Sequence, residues 1–93
     1  MTKANILHLS VDRTTFEAIA EGRQVQDFRD RNEYWRARLN NKAFEFVRCR
    51  SGTGTTAPEI DLDFLGVTRV VREGRGQYAI TMGEIRSLKN WPS

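Results

Sequence analysis

One cysteine, one histidine and two prolines are all that this chain of 93 residues holds of those types. Each scarcity excludes something. Cys49 alone forms neither an internal disulfide nor a zinc site built on paired cysteines. With His8 as the only histidine, transition metals find almost no ligand set, and no metal or other cofactor is expected. A Ser-His-Asp or Cys-His constellation would depend entirely on His8, and nothing around it in the sequence supports one. No apolar run approaches the roughly 18 residues of a membrane span. The opening Met-Thr-Lys-Ala-Asn-Ile has neither the apolar stretch nor the small-residue cleavage site of a leader. The expectation is therefore one soluble cytoplasmic domain with no membrane partner.

What is abundant is arginine, and it is unevenly placed. Between Arg29 and Arg50 seven basic residues (Arg29, Arg31, Arg36, Arg38, Lys42, Arg48 and Arg50) stand against Asp30, Glu33 and Glu45. The rest of the chain is slightly acidic, so the whole excess sits in the middle. A concentrated basic patch draws polyanions. The bland alternative is a solvated arginine face whose stems cover the edges of the core.

Hydrophobic spacing lays out the elements. Ile6 to Val11 reads as a strand with Leu7, Leu9 and Val11 on one side. Thr14-Thr15-Phe16-Glu17 fits a capping box with Thr14 at the N-cap. It opens a helix from Thr15 to Glu21, whose apolar stripe is Phe16, Ile19 and Ala20. Gly22 stands at the left-handed C-terminal cap. Gln24 to Arg29 alternates as a second strand, with Asp27 and Arg29 together on one face. Asn32 caps a second helix, Glu33 to Leu39, in which Trp35 and Leu39 face the same way.

Ala43 to Arg50 is a third strand. Val47 and Cys49 lie on one face and Phe44, Phe46, Arg48 and Arg50 on the other, with the phenylalanines read as core. Ser51 to Pro58 is a loop rich in hydroxyls and backbone N–H groups around Gly52 and Gly54. That is raw material for an anion nest, or a plain flexible connection. It lacks a P-loop ending, so an NTP-hydrolase is rejected. Ile60, Leu62 and Phe64 alternate with Asp61 and Asp63, which reads as an exposed acidic face. The pattern changes phase at Gly66, as at a bulge, and continues to Arg72. Glu73 to Gly76 is a turn, Tyr78 to Met82 the last strand, and residues 86–93 a loose tail unless Trp91 docks. The order β-α-β-α-β-β-β with a bent strand predicts an α+β fold: a small, partly closed five-stranded β-barrel carrying two helices.

Several stretches in this order resemble the ASCH domain family, a branch of the PUA-like barrels, in its small phage and bacterial form. They are Ile6-Leu7-His8-Leu9, the helix with Phe16, Ala18 and Ile19 ending at Gly22, and Gly22 to Arg29 against the family's Gly-x-Lys-x-x-Glu-x-Arg. Trp35 with Arg38-Leu39, Phe46 to Gly52, Phe64 to Val67 and Tyr78 to Ile85 complete the set. The family's lysine falls on Gln24, its acidic position is shortened to Asp27, and its arginine is kept as Arg29. Members resembling N4-acetylcytidine amidohydrolase use that lysine in catalysis. A glutamine neither titrates nor attacks a carbonyl, so the resemblance implies a binding surface more than that chemistry.

The leading expectation is an RNA- or nucleotide-binding module with a basic cleft between the second strand, the second helix and the Gly52 loop. Arg29, Arg36, Arg38, Arg48 and Arg50 would meet phosphates, Gln24 a base edge, and Asp27 would orient Arg29. Trp35 and Phe28 would be stacking platforms. The alternative is a ribonuclease or nucleoside amidohydrolase in the same cleft, with Asp27, His8 and Arg29 as its team. A third reading is a protein-interaction factor, which no residue specifically favours.

Overall fold

The computed structural model describes residues 5–40 and 43–91. Seven elements follow in the expected order: β1 (Ile6–Ser10), α1 (Arg13–Ala20), β2 (Gln26–Asp30), α2 (Glu33–Leu39), β3 (Phe46–Arg50), β4 (Glu59–Arg72) and β5 (Arg75–Lys89). They make one mixed sheet of five strands in the order β1-β3-β4-β5-β2. Only the β1–β3 pair is parallel; the rest is antiparallel. Parallel neighbours need a long crossover, and here it comprises α1, β2 and α2.

The long β4–β5 hairpin organises the molecule. Its register slips between Asp61 and Gly66, and Gly66 takes φ 131°, a conformation natural only to glycine. The bend divides the hairpin into two arms. Residues Glu59–Asp63 of β4 carry β3, whereas Gln77–Thr81 of β5 carry β2. The sheet therefore curls. Among the described residues no backbone ladder joins the edge strands β1 and β2. A side chain spans the seam instead: Arg29 on β2 donates from Nη2 to the Ser10 carbonyl at the end of β1, at 2.8 Å.

The concave side holds the core. Leu7, Leu9, Val47, Cys49, Ile60, Leu62, Ile80 and Met82 from the strands meet Phe16 and Ile19 of α1 and Leu39 of α2. The strand faces are those that alternation predicts. No helix among the described residues is long and apolar enough to cross a membrane.

Several local readings are corrected. The N-cap of α1 is Asp12, not Thr14; its carboxylate accepts the Thr15 N–H at 2.7 Å and is held below its ordinary pKa by that bond. Gly22 does take positive φ, and the N–H of Arg23 closes the helix on the Ala18 carbonyl. β2 starts at Gln26 and β3 at Phe46, although one backbone bond reaches the residue before each: Met82 N–H donates to the Val25 carbonyl and Glu45 N–H to the Asn5 carbonyl, both at 2.8 Å. The last turn is only Glu73-Gly74, both with positive φ, as a two-residue hairpin turn requires.

The segment from Arg86 is not loose. β5 continues to Lys89, and Trp91 lies against Phe16 with ring centroids 4.9 Å apart. Pro92 and Ser93 lie outside the described residues. Asp61 is not exposed either. It lies on the outer face as alternation predicts, but Arg48 and Ser87 cover it.

Candidate nucleic-acid interface

The outer face of β1 and β3 is a ladder of polar side chains. Parallel pairing sets His8 beside Arg48 and Ser10 beside Arg50, and β4 adds Asp61 and Glu59. α2 stands over the seam next to this face. Between them lies a cleft of about 570 Å³, lined by His8, Ser10, Arg29, Tyr34, Trp35, Arg38, Arg48, Arg50 and Glu59. Six residues singled out from the sequence thus converge: His8, Arg29, Trp35, Arg38, Arg48 and Arg50. Tyr34, Ser10 and Glu59 were not foreseen. Tyr34 is four residues from Arg38, and that spacing was its one available signal.

The arginines differ in what they already hold. Arg29 donates from Nε to Asp27 at 2.5 Å and to Ser10, and its guanidinium lies 5.0 Å from the centre of the Trp35 ring. Asp27 is buried, faces the core and does not line the cleft. Arg48 makes a two-pronged contact with Asp61, at 2.8 and 3.0 Å, with Glu59 at 3.4 Å. Hydrogen bonding to Asp61 raises the Arg48 pKa, while the same bonds hold Asp61 below the ordinary carboxylate value against its burial. Arg48 is therefore a structural cation more than a free one.

Arg38 and Arg50 contrast with these. Neither has a carboxylate in ion-pair reach among the described residues. Arg38 stacks on Tyr34 and Trp35, at 5.3 and 5.8 Å. Arg50 donates from Nη2 to the Gly54 carbonyl. The Nε of each is buried without a hydrogen-bond partner among the described residues. The four guanidiniums of the cleft stand against three carboxylates, Glu59 in the lining with Asp27 and Asp61 behind it, so about one unit of positive charge is left over, concentrated on Arg38 and Arg50.

Other expected members lie elsewhere. Gln24 donates to the Gln26 carbonyl ahead of β2 and does not line the cleft. Gly52 stays outside it; the loop reaches the site through the Arg50–Gly54 bond. Arg36 projects to the opposite flank of α2. Phe28 points away from Arg29 on its strand, and the Arg72 guanidinium covers its ring at 3.8 Å. Phe46 is not core: Arg48 and Arg86 stack on it, at 5.4 and 5.3 Å. Lys42 lies outside the described residues. Among the described residues no three His, Cys, Asp or Glu side chains gather where they could hold a metal ion. Comparison with family models, with curated proteins and with solved structures returns no match for this chain.

Proposed function

We propose that this protein binds a nucleotide or a short single-stranded stretch of RNA in the cleft beside α2. The observation that carries this reading is the pairing of two uncommitted guanidiniums, Arg38 and Arg50, with the aromatic rings of Trp35 and Tyr34 around one hollow. Unstacked bases are held by aromatic rings and guanidinium planes, and phosphates by arginine. A volume of about 570 Å³ suits a ligand of nucleotide size. Arg29 braces the rim, with Asp27 behind it as its positioning residue. The ordered resemblance to the ASCH family supports the same reading, and the curled five-stranded sheet is compatible with a PUA-like barrel.

A hydrolytic role through Asp27, His8 and Arg29 has less support. Asp27 is buried and occupied by Arg29, whereas a general base needs reach to the proton it takes. The test is titration with short single-stranded RNAs. Arg38→Ala and Arg50→Ala should each weaken binding by about tenfold, the scale of one charge-assisted contact. Arg72→Ala, which uncovers Phe28 on the other face, should leave affinity unchanged. Equal affinity in all three variants would overturn the assignment.

A further inference from the structure

A second hollow, of about 580 Å³, opens on the other flank of α2. It is lined by Arg31, Arg36, Arg69, Gly76 and Tyr78. The register gathers them. Arg69 stands opposite Tyr78 across β4 and β5, and Arg31, just past the end of β2, donates its backbone N–H to the Gly76 carbonyl at 3.1 Å. These residues therefore share the concave face at its flared end, and α2 adds Arg36 from above.

Two features mark the hollow as more than a charged rim. None of the three guanidiniums has a carboxylate in ion-pair reach among the described residues, unlike Arg29, Arg48, Arg75 and Arg86. Like charges around one hollow repel, and an anion with several acceptor oxygens relieves that repulsion. The second feature is Gly76. Its φ is not in the left-handed region, so its missing side chain serves space, not conformation. The Arg31 guanidinium lies where a Cβ would stand, and any side chain there would displace it. Next to the arginines runs a trough of about 500 Å³ that shares Arg69 and Tyr78 and is walled by Leu39, Phe64 and Val67. It offers apolar surface to whatever carries the anion.

We infer that Arg31, Arg36 and Arg69 form a second anion site that takes the phosphate group of a phosphate ester, separate from the Trp35 cleft. The ester comes either from a small phosphorylated molecule or from the backbone of a nucleic acid. The test follows the arginine Nε–H resonances by NMR while the full chain is titrated with phenyl phosphate and, separately, with a short oligouridylate. Saturable shifts at Arg31, Arg36 and Arg69 are expected. A response to phenyl phosphate alone identifies a small ester, and a response to the oligonucleotide identifies backbone phosphate; either sustains the site. Arg69→Gln should weaken binding by about tenfold, while Arg72→Gln, whose guanidinium covers Phe28 on the other face, should not weaken it.

Gly76→Ala keeps the net charge and should still weaken binding severalfold by displacing Arg31. No saturable shift at these three arginines with either probe would overturn the inference. So would an affinity indifferent to both Arg69→Gln and Gly76→Ala. The Arg38 resonance reports the first cleft independently, so silence there leaves this site standing.

Discussion

Asp61 shows how one carboxylate ties the outer face together. It accepts both prongs of Arg48 and the Ser87 hydroxyl, and this holds its carboxyl below the ordinary aspartate value. A carboxylate whose native pKa is depressed adds stability that is complete above its unfolded value and disappears as pH falls through the native one. Asp61→Asn should therefore cost about 2 kcal/mol near neutral pH, because it leaves Arg48 half-buried with only Glu59 opposite. Urea unfolding should show the gap between wild type and variant closing as pH falls below the ordinary aspartate range and through the lowered value of Asp61. A gap independent of pH would deny the pair its role. Cys49 makes a second residue-scale prediction. Burial pushes its thiol up to about 12, and only the thiolate reacts. Iodoacetamide at neutral pH should leave the native protein unmodified and label it only under denaturant; labelling of the native protein would show that β3 opens.

At the scale of elements, the bend in the β4–β5 hairpin decides which strands meet. Gly66 is its hinge, with φ 131° and open space where a Cβ would stand. The cost of Gly66→Ala is thus conformational, not steric, and should be about 1–3 kcal/mol. Thermal unfolding would record it as a lowered Tm, and an unchanged Tm would mean that the slip in register, not the glycine, makes the bend. Much of this element pattern was legible in the sequence. The phase change at Gly66, the Asn32 cap of α2 and the Asp27–Arg29 pair all follow from local spacing. The start of α1 was not. Asp12 and Thr14 are both good capping residues, and only the backbone path shows which of them reaches a free N–H. The extension of β5 to Lys89 was hidden for a similar reason. Arg86 to Lys89 has little apolar alternation of its own, and its partners Glu59 to Asp61 lie far away in the chain.

For the whole molecule, the charge balance of the cleft sets how the proposed binding should respond to salt. Arg29 and Arg48 are largely neutralised by Asp27, Asp61 and Glu59, so under the proposed binding Arg38 and Arg50 would be the ones to meet phosphates. Each phosphate contact on a single strand contributes a slope of about −0.7 in log affinity against log salt. The cleft should therefore give a slope of roughly −1.4, well short of what every arginine from Arg29 to Arg50 would give together. Arg38→Ala should flatten it by about half. Fluorescence titration over a salt series measures the slope directly, and a flat response would remove phosphate contact from the picture.

The sequence by itself determined the element order, the faces of the strands and the concentration of arginine in the middle of the chain. These depend on local periodicity and composition, which fold within a few residues of where they are written. Only the tertiary structure decided which arginines keep a free guanidinium. Arg48 meets Asp61 through a strand pairing, while α2 sends Arg38 to one flank and Arg36 to the other. A side chain's charge is fixed by its type, but its neutralisation depends on register and curvature, and those are set by contacts distant along the chain.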